Sequence, residues 1–145
     1  KDTDGNISYD PDNHQSMTDQ RHQKVQNVAN TYPPTEVVGE MKGDLVVLGW
    51  GSSKGIITQS VIDSLQAGRK VSRIHLRNIW PLPNDLDEIL TGFKAILVPE
   101  MNVGQLARVL RSEMPHQNFI SYSKVTGQPF LVSEITEKIA TILEN

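Results

Sequence analysis

Small and polar residues follow the first strongly apolar run of the sequence, in the segment 49–55 (GWGSSKG). Backbone amides and hydroxyls at the start of a helix can bind an anion or the carboxylate of a partner. The spacing is G-x-G-x-x-x-G rather than the dinucleotide-binding G-x-G-x-x-G, and no G-K-[ST] follows, as a Walker loop requires. The same residues also suit a tight strand-to-helix turn without a ligand. Ser52, Ser53 and Lys54 are therefore candidates for cofactor binding, with this structural alternative left open.

Polar groups also follow two later apolar runs. Glu100 can orient a ligand amine or hydroxyl, or it can simply contact the end of a neighbouring helix. Asn102 can contact a ligand or cap the helix that follows it. Lys124 opens the segment 124–130 (KVTGQPF) and can contact an anion. These three residues complete the candidates for cofactor binding.

Two apolar corners are candidates for contact with another protein surface. In the segment 124–130, Gly127 and Pro129 favour a defined loop, and Phe130 offers an apolar anchor of the kind that interfaces use. Trp80, with Pro81 and Pro83 shortly after it, lies in a similar corner. We predict at least one exposed apolar patch near Trp80 or Phe130, and burial of both rings in the domain's own core would contradict this prediction.

Composition argues against several kinds of site in this sequence of 145 residues. It has no cysteine, which excludes disulfides, thiolate zinc sites, a cysteine nucleophile and a cysteine-ligated iron–sulfur cluster within the sequence. The net charge of −3, without a basic cluster, argues against nucleic acid binding. No apolar run reaches the ~20 residues of a membrane span, and no signal peptide pattern is visible. We expect a cytoplasmic protein.

No catalytic residue and no metal site is predicted. The segment 2–8 (DTDGNIS) is similar to the middle of an EF-hand loop, but Pro11 occupies the position of the bidentate glutamate. His14 and His22 have no carboxylate placed to complete a metal triad. No Ser-His-Asp or paired-carboxylate pattern is discernible.

The first part of the chain, residues 1–34, is predicted to be a linker and helical arm from a preceding domain. Asp10 and Pro11 form a favourable helix start, with an N-cap carboxylate followed by proline at the first helical position. The apolar stripe that follows is thin, so the helix cannot bury enough surface to stand alone. Two consecutive prolines end it. Because the chain begins with Lys1 rather than methionine, we expect it to be a piece of a longer protein.

Residues 35–145 are predicted to form one α/β domain. Strands are expected at 35–41, 45–48, 71–76, 95–98 and 119–122. Helices are expected at 56–66 with Leu65 inward, after Asn84 with Phe93 inward, after Asn102 with Val103 inward, and from Ser133. Strands that alternate with helices predict a mostly parallel sheet. The predicted fold class is therefore α/β, a three-layer α/β/α sandwich of four parallel strands and one antiparallel edge strand.

Several of these segments, in the same order, are similar to a known enzyme family. They are DTDGNISYDPDNHQSMTDQRHQKV (2–25), GWGSSKG (49–55), LRNIWPLP (76–83), VPEMNVGQLARVLR (98–111) and KVTGQPF (124–130). Together they resemble the C-terminal part of the alpha subunit of 2-oxoacid:ferredoxin oxidoreductases, especially of the 2-oxoglutarate type. The resemblance covers nearly the whole chain, and the segments 99–111 and 127–130 are its most specific pieces.

The resemblance implies a transketolase C-terminal-like domain with a mixed five-stranded sheet, in which the Gly49 loop and the Glu100 loop meet. Enzymes of the family use thiamine diphosphate with Mg, coenzyme A and iron–sulfur clusters to decarboxylate a 2-oxoacid oxidatively and to reduce ferredoxin. The implied partners of this chain are the beta subunit and the preceding domains of the alpha subunit. Its implied role is packing and assembly, without a cofactor or an activity of its own.

Two alternatives remain open at this point. The chain can be a stand-alone α/β module that binds a nucleotide or another small ligand. It can also be the related domain of a transketolase or a 2-oxoacid dehydrogenase, which would need neither ferredoxin nor iron–sulfur clusters.

Overall fold

A five-stranded sheet with helices on both faces follows a helical arm. The computed structural model describes residues 1–144. The strands are β1 (Val37–Val38), β2 (Gly43–Trp50), β3 (Ser72–Leu76), β4 (Phe93–Glu100) and β5 (Phe119–Ser123). The helices are α1 (Pro11–Gln26), α2 (Lys54–Gln66), α3 (Leu86–Leu90), α4 (Gln105–Glu113) and α5 (Val132–Leu143). Short 3-10 turns span Asn27–Thr31 and Gly51–Ser53.

The strand order is β1-β3-β2-β4-β5, with β1 antiparallel to β3 and all other pairs parallel. This confirms the predicted mixed sheet with an antiparallel edge strand. From the central strand β2 the chain passes to β3 on one side and then to β4 on the other side. The carboxyl ends of β2 and β4 therefore flank the switch point, where open α/β sheets bind their ligands.

Each face of the sheet carries its own apolar core. On one face, Val46 and Ile96 are fully buried and pack with side chains of α3 and α4. On the other face, Val47 and Leu97 are fully buried and pack with side chains of α2 and α5. The central strands have continuous apolar runs because both of their faces are covered. The predicted three-layer α/β/α arrangement is confirmed.

The edge strand is much shorter than the strand predicted at 35–41, since only Val37 and Val38 pair with β3. Gly39 has a φ of 117°, which residues with a Cβ rarely adopt, and a Cβ there would lie 2.6 Å from Ser72 Oγ. Ser72 Oγ instead donates a hydrogen bond to the Glu40 carbonyl at 2.8 Å. The chain thus leaves the sheet directly after Val38.

The helix predicted after Asn84 is a single short turn of helix, α3, and Phe93 does not belong to it. The chain turns after Leu90, and Phe93 begins β4 in register with Gly43 of β2. Asn84 does not cap α3, since the N-cap position is Asp85, and the Asn84 Nδ2 donates to Asn30 Oδ1 at 2.8 Å. The prediction for Phe93 is wrong because the apolar spacing of the helix continues by coincidence into the next strand.

Two side chains predicted to point inward are exposed. Leu65 near the end of α2 is 48% exposed, and Ser64 is buried instead. Val103 is 56% exposed, because α4 begins only at Gln105 and Val103 lies in the preceding turn. The start of α5 lies at Val132, one residue before the predicted start.

The helix of the arm, α1, begins as predicted, with Asp10 Oδ1 accepting from the Asp12 amide at 3.1 Å. None of its residues is buried. Polar pairs four residues apart run along it, including Gln15 Nε2 with Asp19 Oδ1 at 2.8 Å. A helix that is polar on all sides and carries such pairs is typical of a connection between domains. The extent of the arm, 1–34, stays a prediction.

The linker after α1 is fastened to the rest of the fold at Thr35. The Thr35 amide donates to one carboxylate oxygen of Asp85 at 2.8 Å, and its hydroxyl donates to the other at 2.6 Å. Ala29, in the 3-10 turn, is buried. The segment 29–35 therefore lies against the fold, and so does Gln26 at the end of α1, which lines a shallow cavity together with Trp80 and Met114.

Candidate functional site

A cleft of about 220 Å³ opens at the switch point, between the carboxyl ends of β2 and β4. Segment 50–53 lines one side of it, and segment 99–102 lines the other. The structure thus brings the predicted candidates Ser52, Ser53, Glu100 and Asn102 into one cleft. The meeting of these two loops, which the family resemblance implies, is observed.

Glu100 ends β4 as a buried carboxylate, only 2% exposed. One oxygen accepts from the Leu106 amide at 2.8 Å and the other from the Ala107 amide at 3.0 Å. Both amides belong to the first turn of α4, where helix N–H groups lack partners within the helix. Glu100 therefore caps α4 from the preceding strand, which is the structural one of its two predicted roles.

Asn102 also caps α4, from within the turn. Its Oδ1 accepts from the amides of Gly104 and Gln105 at 2.8 and 2.9 Å, and its Nδ2 donates to Glu100 at 3.2 Å. Gly104 has a φ of 76°, and a Cβ there would lie 2.7 Å from Ser121 Oγ, so this turn requires glycine. The polar groups on this side of the cleft are thus engaged in holding α4.

On the other side of the cleft, Ser53 is buried and donates its hydroxyl hydrogen to the Trp50 carbonyl at 2.7 Å. Ser52 and Lys54 are exposed. Lys54 is the first residue of α2, and within residues 1–144 it takes part in no ion pair. Of the predicted candidates, Ser52 and Lys54 therefore remain available to a ligand.

Lys124 lies next to this region, with its amide donating to the Glu100 carbonyl at 2.9 Å, but its side chain points elsewhere. Lys124 Nζ contacts both carboxylate oxygens of Glu134 at 2.8 and 2.7 Å and donates to the Pro129 carbonyl at 3.1 Å. Glu134 also accepts from the Leu131 amide at 2.6 Å. Lys124 thus holds the loop 124–131 against the start of α5, and its charge is directed at Glu134 rather than at a ligand in the cleft.

This ion pair predicts a loss of stability in acid. The hydrogen bond from Lys124, followed by that from the Leu131 amide, holds the pKa of Glu134 below its ordinary value of 4.5. The pair therefore stabilises the fold above that value, and the stabilisation is lost as the pH falls through the lowered pKa. Thermal unfolding should show Lys124→Gln with a lower melting temperature than wild type at about pH 7, and a smaller gap at about pH 3.

Lys42→Gln is the matched control, since Lys42 is exposed and forms no ion pair within the described part of the chain. Its melting temperature should follow that of wild type at both pH values. Because the pair is partly exposed, added salt should also narrow the gap between wild type and Lys124→Gln. A gap that does not depend on pH would contradict the assignment to this pair.

Phe130 is not an exposed anchor, and this prediction is wrong. It is only 4% exposed, and its ring centroid lies 4.9 Å from that of Tyr122 in the core under α2 and α5. Gly127 and Pro129 are exposed, so the loop presents its backbone and turns the ring inward. Burial of a phenyl ring is strongly favourable, and Phe130 packs in one cluster with Ile135 and Ile139 of α5, whose N-cap is Leu131.

Trp80, in contrast, is 50% exposed, so an apolar patch is present where one was predicted. With Trp50, Ile79, Leu106 and Val109 it lines a shallow cavity of about 220 Å³, together with the stem of Gln105. We call this set of residues the Trp80 surface. Sequence reasoning missed Trp50 and Val109. A signal for Trp50 was present, because it lies on the same face of β2 as the buried residues Val46 and Leu48. A role of this surface as an interface stays a prediction.

Within residues 1–144, no group of three or more His, Cys, Asp or Glu side chains is placed to hold a metal ion. Over the same residues, every helix is too short or too polar to span a bilayer.

Known proteins are similar to this chain in sequence and in fold. Residues 43–135 match the family model described as pyruvate:ferredoxin oxidoreductase core domain II. The chain is 38% identical over 141 residues to the 2-oxoglutarate oxidoreductase subunit KorA of Mycobacterium tuberculosis, which covers 96% of this chain and 21% of that protein. It is 26% identical over 148 residues to 2-oxoacid:ferredoxin oxidoreductase 1, subunit alpha, of Aeropyrum pernix, with 97% and 23% covered.

A solved structure is also similar to this chain in its fold. It is that of a 2-oxoglutarate:ferredoxin oxidoreductase from Magnetococcus marinus with 2-oxoglutarate, coenzyme A and succinyl-CoA bound. The TM-score is 0.89 at 30% identity, over 96% of this chain and 25% of that chain. The chain therefore spans about a fifth to a quarter of the length of these similar proteins.

Proposed function

The chain belongs to the pyruvate:ferredoxin oxidoreductase core domain II family, and from that membership we propose that it serves as a domain of the alpha subunit of a 2-oxoglutarate:ferredoxin oxidoreductase. The relatives at 38% and 30% identity, both named for 2-oxoglutarate, support this substrate. In the proposal, the whole enzyme carries out CoA-dependent oxidative decarboxylation with ferredoxin as acceptor. This domain packs against the preceding domains and the beta subunit, and the bond-breaking chemistry takes place elsewhere.

The observation that carries the packing role is the Trp80 surface. Ile79, Trp80 and Val109 together leave a continuous apolar area that no part of the described chain covers. Such areas on a folded domain mark sites of interaction. The polar arm helix supports the same role, because it has the character of a connection between domains. Positioning of this kind matters for rate, since small misplacement of a catalytic group is costly.

The cofactors of the family do not fit the donor groups of this chain. The sequence has no cysteine to ligate an iron–sulfur cluster, and Glu100, the one carboxylate that lines the cleft, is used as a helix cap. We therefore assign thiamine diphosphate, Mg and the clusters to other parts of the enzyme. Coenzyme A is the exception, since Lys54 is an exposed cation at the edge of the cleft that can reach a phosphate.

Replacing Trp80 by glutamate should weaken assembly without unfolding the domain. A carboxylate in the middle of the Trp80 surface would have to be desolvated by any partner that covers it. We expect Trp80→Glu to reduce the association of this domain with the rest of the enzyme by at least about tenfold, measured by sedimentation. The rate of 2-oxoglutarate-dependent ferredoxin reduction should fall in parallel.

Ile62→Glu is the control for this experiment. Ile62 is 40% exposed on α2, on the opposite face of the sheet from α4, and lies outside the Trp80 surface. Its variant should assemble and turn over like wild type. Unchanged association of Trp80→Glu, with unchanged activity, would contradict the packing role. It would favour the stand-alone ligand-binding module instead.

A further inference from the structure

The sheet ends on one side at β5, which within residues 1–144 pairs with β4 alone. The Ile96 amide donates to the Asn118 carbonyl, and the Lys124 amide donates to the Glu100 carbonyl, both at 2.9 Å. In a parallel pair, the backbone groups of alternate residues point to the neighbouring strand. The even-numbered residues of segment 118–124 therefore direct their backbone groups at β4. The backbone groups of the odd-numbered residues face away from the sheet.

Most of these outward-facing backbone groups are unpaired. At the start of the strand, the Phe119 carbonyl accepts from a guanidinium nitrogen of Arg111 at 2.8 Å. Further along, no group of the described chain bonds the backbone amides or carbonyls of Ser121 and Ser123. Ser121 is partly exposed and Ser123 is exposed, so another chain can reach these groups. We call this row of outward-facing backbone groups the β5 edge.

The β5 edge lacks the features with which folded proteins protect an open edge. Such features include lysine or proline on the strand and a β-bulge. The residues of β5 are FISYS, without a proline or a charged side chain, and the register with β4 runs without a bulge. Aromatic and β-branched residues such as Tyr122 and Ile120 favour extended structure. An edge of this kind is a template for the addition of another strand.

Cations flank the β5 edge on both faces of the sheet. On one face, Arg111 of α4 is exposed and uses one of its N–H groups on the strand, which leaves further donors of the same guanidinium available. On the other face, Lys138 Nζ of α5 lies 5.7 Å from the centre of the Tyr122 ring. Among the described residues, neither cation takes part in an ion pair. Glu134, beyond the end of β5, is already paired with Lys124.

These charges indicate which kind of strand suits the edge. A strand that carries aspartate or glutamate can direct its carboxylates at Arg111 and Lys138 while its backbone pairs with β5. A second copy of β5 is a poorer partner, because the segment 117–124 (QNFISYSK) has no carboxylate. A second copy would also bring further cations to the same edge. The charges therefore favour an acidic segment over self-association.

We propose that the β5 edge binds an extended acidic segment of another protein as an additional strand of the sheet. Main-chain hydrogen bonds to Ser121 and Ser123 supply the affinity, and contacts of carboxylates with Arg111 and Lys138 supply the specificity. The β5 edge shares no residue with the Trp80 surface. The interaction is thus additional to the packing in the proposed function and does not depend on it.

Amide hydrogen exchange, measured by NMR on the 145-residue chain, tests the proposal. The probe is a peptide of alternating glutamate and threonine with blocked ends. In the free chain, the amides of Ser121 and Ser123 should exchange quickly, whereas those of Ile120 and Tyr122 are directed at β4. At a peptide concentration of about ten times its dissociation constant, exchange at Ser121 and Ser123 should slow by about tenfold. Ile120 and Tyr122 should change much less, and this alternation identifies pairing of a strand.

Two variants separate the backbone contribution from the charge. Ser123→Pro removes an outward-facing amide at a position where the pairing with β4 does not need it, so it should abolish the slowing at Ser121. Its control is Ser123→Ala, which keeps the amide and should bind like wild type. Lys138→Gln should weaken binding by about threefold, the size of a cross-strand charge pair. Lys24→Gln removes the same charge from the exposed face of α1 and should leave binding unchanged.

Three results would overturn the inference. One is no slowing of exchange at Ser121 and Ser123, or an equal slowing along the whole of β5. Another is equal binding of a peptide with lysine in place of glutamate, since the charges would then select nothing. The third is tighter binding of a peptide with the sequence 117–124, which would assign the edge to self-association. The assembly of Trp80→Glu does not involve the β5 edge, so it tests the proposed function separately.

Discussion

Replacing Glu100 by glutamine should destabilise the fold by about 2 kcal/mol, because one buried helix amide loses its acceptor. In the native chain, each Glu100 oxygen accepts from one amide of the first turn of α4, at 2.8 and 3.0 Å. An amide side chain keeps one oxygen, and its NH₂ group then faces the second backbone N–H. Leu106 and Ala107 are both buried, so water cannot replace the lost acceptor. The favourable contact of a negative charge with a helix N-terminus is lost as well.

Thermal unfolding of the chain measures this effect directly. Glu137→Gln is the matched control, since Glu137 is exposed on α5 and surface changes of this kind usually stay within about 0.5 kcal/mol. Glu100→Gln should lower the melting temperature by roughly 5–8 °C relative to this control. If both variants unfold alike, Glu100 does not hold α4. A role in ligand binding would then become the better explanation of its place in the cleft.

Replacing Phe130 by alanine should cost about 3–4 kcal/mol, the range for removal of a buried phenyl ring from a core. The ring is 4% exposed and contacts Tyr122, and Lys124 Nζ lies 5.7 Å from its centroid. Its loss leaves a cavity under α5 and removes the apolar support of the loop 124–131. We expect unfolding at clearly lower urea concentration, with the slope of the transition unchanged.

Trp80→Ala is the informative comparison, because the sequence predicts the same exposed role for both aromatic residues. Trp80 is half exposed, so its removal should destabilise the isolated chain by only about 1 kcal/mol. The order should reverse in an assembly assay, where Trp80→Ala weakens association and Phe130→Ala matters only through folding. A larger loss of stability in Trp80→Ala than in Phe130→Ala would show that the two rings are assigned to the wrong environments.

These two residues also show where sequence reasoning succeeds and where it stops. The strands around Val47 and Leu97 could be predicted because a strand covered on both faces must be apolar throughout. Whether Phe130 points inward depends on Tyr122 of β5 and on α5, and such contacts between distant elements leave no periodic pattern in the sequence. The prediction that placed Phe93 in a helix was wrong for the opposite reason, since a helical spacing of apolar residues continued by chance into a strand.

In the candidate site, too, the sequence predicts which residues are present but not which role each of them has. The sequence presents Glu100 both as a ligand group and as a contact to a helix end, and only its distances to two amides of α4 decide between them. Lys124 could not be assigned to Glu134 from the sequence, because many lysines and carboxylates allow such a pairing.

The brevity of β1 has a consequence for how this domain can associate. An edge strand of two residues presents few unpaired backbone groups, so it is a poor template for the addition of a strand from another chain. Gly39 and the bond from Ser72 to Glu40 turn the backbone away just where a longer strand would continue. On this side, the sheet is therefore protected against edge-to-edge pairing with the sheet of another chain. Of the two sheet edges, β5 is thus the one that offers the longer row of backbone groups to another chain.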